Sequence, residues 1–89
     1  SGLLAMDADG ITIEDVTMVA SESPTIMLYN AQNVKARGLA LSGSDGELIE
    51  IQGKKSQNID IEIATKNSLK NRYTLGADVD KRSIKISRN

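Results

Sequence analysis

The chain repeats one short pattern about four times. DADGITIED at residues 7–15 returns as NAQNVKARG at 30–38, as SQNIDIEI at 56–63 and as KRSIKIS at 81–87. Each copy is a small polar turn followed by apolar and polar residues in alternation. Repeats at a fixed period of about 20 to 50 residues are typical of stacked units. The pattern therefore predicts a solenoid for these 89 residues rather than a domain around one central core.

The copies can be aligned position by position. Equivalent apolar residues are separated by 23, 25 and 25 positions, and the next apolar position in each copy has the same spacings. Each copy is preceded by another short apolar run, and the equivalent positions of these runs form two further columns. The third copy is longer because its turn, GKKSQN at 53–58, carries two extra residues. The four columns are Ile11, Val34, Ile59 and Ile84; Ile13, Ala36, Ile61 and Ile86; Leu3, Ile26, Ile49 and Tyr73; and Ala5, Leu28, Ile51 and Leu75.

Apolar and polar residues alternate in these runs with a period of two, which identifies the runs as strands. Successive side chains of a strand point to opposite faces, so Ile59 and Ile61 share one face while Asp60 and Glu62 share the other. No stretch has the i, i+3, i+4, i+7 spacing of a helix, and TKNSLKN at 65–71 is interpreted as a loop. The sequence therefore predicts an all-β fold. The predicted architecture is a right-handed parallel β-helix of about three and a half rungs, each of 23–25 residues.

The outward positions alternate in charge between neighbouring rungs. In the predicted register Asp60 lies between two lysines, and Arg37 lies between two glutamates. Opposite charges on adjacent strands attract, whereas stacked like charges would repel. These charges are therefore interpreted as a solvated face with ion pairs between rungs. The two columns are Thr12, Lys35, Asp60 and Lys85, and Glu14, Arg37, Glu62 and Ser87.

The amino-acid composition limits which binding partners are expected for this protein. The net charge is −1 with 26% charged residues, so we expect neither nucleic acid nor a membrane surface as a partner. No apolar run approaches the length of a membrane span. Because the sequence has no cysteine, disulfides and thiolate metal sites are excluded.

We expect residues 1–89 to form a single segment, the C-terminal part of a longer β-helix protein. The first strand, LLAMD at 3–7, has no polar cap before it, although the terminal repeats of solenoids are normally capped. The last residues, KRSIKISRN at 81–89, are basic, which discourages pairing of an end strand. The open N-terminal end predicts either a homodimer joined there or fraying of the first rung.

The rungs resemble those of pectin-lyase-like β-helix proteins, and most of all the last rungs of glycoside hydrolase family 28, the polygalacturonases, particularly bacterial ones. The similarity is carried by GITIEDVTM at 10–18, SPTIMLYNAQNVKARGLAL at 23–41 and LGADVDKRSIKI at 75–86. It implies a parent protein that degrades pectin, is secreted or periplasmic, has polysaccharide as its partner and needs no cofactor.

The catalytic motifs of that family are absent from this sequence. Its members carry Asn-Thr-Asp, Asp-Asp, Gly-His-Gly and Arg-Ile-Lys, whereas this chain has no histidine and only an interrupted near-match, Arg82-Ser83-Ile84-Lys85. The catalytic rungs of the family precede the terminal ones, so the resemblance implies that the catalytic residues lie upstream. The alternative is a non-catalytic β-helix module that binds glycan or a cell surface, as in adhesins and tailspikes.

No residue of the chain itself is expected to be catalytic or to bind a metal. Glycoside hydrolysis needs two carboxyl groups, one with a raised pKa. The carboxylates Glu14-Asp15 and Asp60 with Glu62 have basic neighbours, which would lower the pKa and would also repel calcium. The acidic stretch SGSDGE at 42–47 is interpreted as a turn with Gly46 at positive φ.

Two residues are candidate saccharide contacts. Tyr29 is predicted to point outward beside a turn, and Arg37 is predicted on the charged outer face. The other tyrosine, Tyr73, falls at an inward position and is expected in the core. Asn33 and Asn58 share one rung position and are expected to stack amide on amide, a structural use.

Overall fold

A computed structural model describes residues 2–20, 24–43, 47–64 and 73–88 of the chain. The loop expected at 65–71 and the turn expected at Gly46 lie outside these ranges. A 3-10 helix, Lys81–Ser83, precedes the last strand, and no helix in this part of the chain has the length and apolar character that crossing a membrane requires. The strands are β1 (Leu3–Met6), β2 (Asp9–Glu14), β3 (Thr17–Ala20), β4 (Ile26–Tyr29), β5 (Gln32–Gly43), β6 (Ile49–Gln52), β7 (Gln57–Ile63), β8 (Tyr73–Leu75) and β9 (Ile84–Arg88).

The strands stack as a parallel β-solenoid of about three turns. The first sheet has the strand order β1-β4-β6-β8, and the second has the order β2-β5-β7-β9. A third sheet pairs β3 with the second half of β5. Each successive turn thus adds one strand to the first sheet and one to the second, which confirms the predicted all-β solenoid.

The register of the sheets follows the predicted columns. In the second sheet Val34 lies between Ile11 and Ile59, and Ile59 is followed by Ile84. In the first sheet the predicted partners also align, from Leu3 and Ile26 onward. The inward columns form one continuous core along the stack axis. Its most deeply buried large side chains are Ile26, Leu28, Leu39, Leu48, Ile49, Ile51, Ile59, Ile61 and Ile63.

The same columns are less buried at the two ends of the stack. Ile11 and Ile84 are only half-buried, although both belong to a column whose middle members are enclosed. Tyr73 is in register with the buried Ile49 but is 41% exposed. The expectation that Tyr73 belongs to the core is therefore wrong. Its strand, β8, is the last of the first sheet among the described strands, and it pairs on one side only.

Residues with left-handed backbone recur at equivalent positions of successive turns. One such position is the residue that follows β1, β4 and β6, and a second is the second residue of β2, β5 and β7. Gly, Asn and Asp adopt positive φ more readily than other residues, which explains their recurrence in the repeated turns. The first column is Asp7, Asn30 and Gly53, with φ of 53°, 52° and 96°, and the second is Gly10, Asn33 and Asn58, with φ of 89°, 56° and 53°.

Candidate functional site

The outward side chains of the second sheet form a polar surface, called here the polar face. Its first column is the one predicted: Lys35 is in register with Asp60, and Asp60 with Lys85. Both lysines are exposed, and Asp60 is partly buried between them. The polar face consists of Thr12, Lys35, Asp60 and Lys85, together with Arg37 and the amide side chains of Asn33 and Asn58.

Arg37 binds across columns to Asp60. Its Nη2 lies 2.8 Å from Oδ2 of Asp60, and the two side chains are each 35% exposed. Its Nη1 donates to the carbonyl oxygen of Ala36 at 2.9 Å and to that of Asp60 at 3.4 Å. The guanidinium is therefore held by three acceptors on the sheet, and only part of it faces solvent.

Strand β5 contains a bulge at Arg37 and Gly38. The register of β5 against β7 shifts between Ala36 and Leu39, so Arg37 and Gly38 together occupy the stretch opposite Glu62. Glu14 does lie in register with Arg37, as predicted. The second predicted outward column is thus correct for Glu14 and Arg37. Beyond the bulge, the charge of Glu62 still raises the pKa of Arg37, but the ion pair of Arg37 is with Asp60.

These contacts fix the ionisation of the Asp60 carboxyl. The hydrogen bond from Arg37 lowers the pKa of Asp60 below its usual value, and the charges of Arg37, Lys85 and Lys35 lower it further. Partial desolvation acts in the opposite direction and is outweighed. The pKa of Arg37 is raised, mainly by the same hydrogen bond. A general acid at neutral pH needs a raised carboxyl pKa, so Asp60 is unsuited to that role.

A ladder of amide side chains borders the charged columns. Nδ2 of Asn58 donates to Oδ1 of Asn33 at 2.7 Å, which confirms the predicted amide stacking. Nδ2 of Asn33 in turn donates to Oδ1 of Asp9 at 2.7 Å. Beside the ladder is a shallow, open depression of about 300 Å³, lined by Asn33, Val34, Lys35, Asn58 and Asp60. Its wall offers an ammonium group, a carboxylate and two amides, which are groups able to hydrogen-bond sugar hydroxyls.

The structure places the two candidate saccharide contacts on different sheets. Tyr29 is the last residue of β4 in the first sheet and is 40% exposed, whereas Arg37 lies in the second sheet. Tyr29 is in register with Met6, and Met27 with Leu4, so the outer surface of the first sheet is apolar over its first two turns. The depression beside Asp60 includes neither candidate.

Among the described residues, no three acidic side chains come together in a way that could hold a metal ion.

Two contacts that shape the polar face were not predicted from the sequence. They are the diagonal pair of Arg37 with Asp60 and the hydrogen bond that brings Asp9 into the amide ladder. The first had a visible signal, because a glycine inside a strand pattern, here Gly38, indicates a bulge. The contact of Asp9 had no signal in the sequence, since Asp9 lies one residue before the column of Gly10, Asn33 and Asn58.

Comparison with protein-family models, with curated proteins and with solved structures finds no match for this chain.

Proposed function

We propose that this chain supplies structural turns to a carbohydrate-active β-helix protein, a polygalacturonase-like glycoside hydrolase acting on pectin whose catalytic residues lie upstream. The resemblance of the rung sequences motivates the assignment to that family. The observation that carries the structural role is the state of Asp60: its carboxylate is engaged by Arg37 at 2.8 Å and has a lowered pKa. A group in that state stabilises the stack and does not supply a proton to a leaving group.

The alternative is a non-catalytic module that binds glycan along the polar face. The depression beside the amide ladder favours this reading, because it presents hydrogen-bonding groups next to the exposed ammonium of Lys35. Polygalacturonate carries a carboxylate on every sugar, so Lys35 gives the depression a preference for it over a neutral glucan. The two roles are compatible in one protein, since turns that scaffold an active site can also hold the polymer that enters it.

The isolated 89-residue chain is therefore expected to bind polygalacturonate weakly and not to cleave it. One set of samples gives both readouts: reducing ends released over time, and NMR shift changes during titration with oligogalacturonate or with a neutral glucan oligomer. We expect no release of reducing ends and shift changes confined to the polar face. Lys35→Gln is expected to weaken binding by roughly 2- to 5-fold, the size of an exposed charge contact.

Lys54→Gln is the matched control, because it removes the same charge from an exposed turn outside the polar face. Equal weakening by the two variants would contradict a site at the depression. Steady release of reducing ends that Asp60→Asn abolishes would contradict the non-catalytic role.

A further inference from the structure

The outer surface of the first sheet carries an apolar patch, called here the apolar platform. It consists of the outward side chains of β1 and β4, which are Leu4, Met6, Met27 and Tyr29. Leu4 and Met6 are each 59% exposed, and Tyr29 is 40% exposed. These side chains point away from the core, so a further turn stacked on β1 would lie beside the platform and would not cover it.

Polar side chains of the next turn border the apolar platform. Tyr29 is in register with Gln52, and Met27 with Glu50. All four residues lie on β4 and β6, the two inner strands of the first sheet, which pair on both sides. Within the described part of the chain, the side chains of Tyr29, Glu50 and Gln52 make no hydrogen bond or ion pair. The surface therefore combines apolar contact area with polar groups that are free to bind a ligand.

The size of the apolar platform favours a small occupant over a protein. Its two strands lie about 4.8 Å apart, and the outward positions along each strand are about 7 Å apart. Four side chains on this grid offer on the order of a few hundred Å² of apolar surface. A stable protein–protein interface buries roughly 800 Å² on each partner. The footprint of the platform instead matches one or two sugar rings.

A neutral galactopyranoside has the chemistry that this surface requires. Its axial 4-hydroxyl leaves the C–H groups of C3, C4 and C5 together on one face, which can stack on a tyrosine ring, whereas a glucopyranoside divides its axial hydrogens between both faces. The carboxylate of Glu50 and the amide of Gln52 can hydrogen-bond the hydroxyls at the ring edge. Among the described strands of the first sheet no basic residue offsets the charge of Glu50, so a uronate is disfavoured.

We propose that the apolar platform and its polar border bind a neutral galactosyl residue, with the sugar ring stacked on Tyr29 and its hydroxyls hydrogen-bonded to Glu50 and Gln52. This site goes beyond the proposed function, because it lies on a different sheet from the polar face and takes an uncharged sugar. Failure of polygalacturonate to bind the polar face would leave this site intact, and the two sites are read from different NMR signals.

NMR titration of the 89-residue chain with galactobiose tests the site directly. We expect shift changes in β4 and β6 around Tyr29 and none on the polar face, whereas cellobiose should give much smaller changes. Tyr29→Ala is expected to weaken galactobiose binding by roughly 2- to 10-fold, the size of an aromatic contact. Tyr73→Ala is the matched control, because it removes a ring of nearly equal exposure, 41%, that lies outside the platform.

Three results of this titration would overturn the proposal. The first is an absence of shift changes near Tyr29 up to the solubility limit of galactobiose. The second is equal weakening by Tyr29→Ala and Tyr73→Ala. The third is a set of shift changes that follow the concentration of the protein rather than that of the sugar, because these would assign the platform to contact with a second copy of the chain.

Glu50→Gln tests the choice of a neutral sugar while leaving the apolar platform unchanged. Glutamine keeps a hydrogen-bond acceptor and removes the charge, so digalacturonate should shift the signals around Tyr29 in this variant but not in the parent chain. Glu62→Gln removes the same charge from the second sheet and should not have this effect. A parent chain that binds digalacturonate and galactobiose equally well at Tyr29 would overturn the assignment to a neutral sugar.

Discussion

At the scale of single residues, side chains replace backbone partners in the turns of this solenoid. Ser56, in the turn that carries the two extra residues, is fully buried. Its hydroxyl donates to the carbonyl oxygen of Gln52 at 2.8 Å and accepts from the backbone N–H of Ala31 at 3.2 Å. The insertion lengthens this rung, and the Ser56 hydroxyl gives the N–H of Ala31 in the preceding rung a hydrogen-bond partner. The spacing predicted the insertion, but a serine in a polar turn gave no sign that its hydroxyl bonds to the rung before it.

Ser56→Ala is expected to lower the free energy of unfolding by about 1–3 kcal/mol, because it leaves the buried N–H of Ala31 without a partner. Urea denaturation followed by circular dichroism measures the change. Ser87→Ala is the control, since Ser87 lies on the half-buried outer surface of the end strand β9, and its effect should stay within about 0.5 kcal/mol. Equal losses from the two variants would contradict a bridging role for Ser56.

At the scale of elements, strands and register were the most predictable features of this molecule. The alternation in Ile59-Asp60-Ile61 fixes which face is buried, and a slip of one residue would expose the whole inward column. The bulge at Arg37 and Gly38 was not predicted, although the buried apolar positions shift by one residue there, from Val34 and Ala36 to Leu39 and Leu41. Its consequence, the pairing of Arg37 with Asp60 instead of Glu62, redirects the charges of the polar face.

Ile61→Ala is expected to cost about 2–5 kcal/mol of unfolding free energy, because the side chain is 1% exposed and its removal leaves a cavity. Ile86→Ala makes the same change in the same column at the half-buried end, so its cost should be clearly smaller. Denaturant titrations of the two variants give the difference. Ile61→Lys should remove the cooperative transition altogether, and a lysine variant that melts near the parent protein would show that position 61 does not point inward.

At the scale of the whole molecule, a stack in which each turn touches only its neighbours should open from its ends. The stability of such solenoids is close to a sum of terms for each repeat and for each interface between repeats. Strands β5 and β7 have a partner on both sides in the second sheet, whereas β1 and β9 have one among the described strands. Opening the first turn therefore breaks fewer contacts than opening the middle.

Native-state hydrogen exchange is expected to show this gradient as a difference between two segments. At low protein concentration the amides of β1, Leu3–Met6, should exchange through local opening well before those of residues 59–63 in β7, which require opening near the global unfolding free energy. A monomer in which amides 3–6 are as protected as 59–63 would mean that the first turn is covered by a contact outside the described sheets.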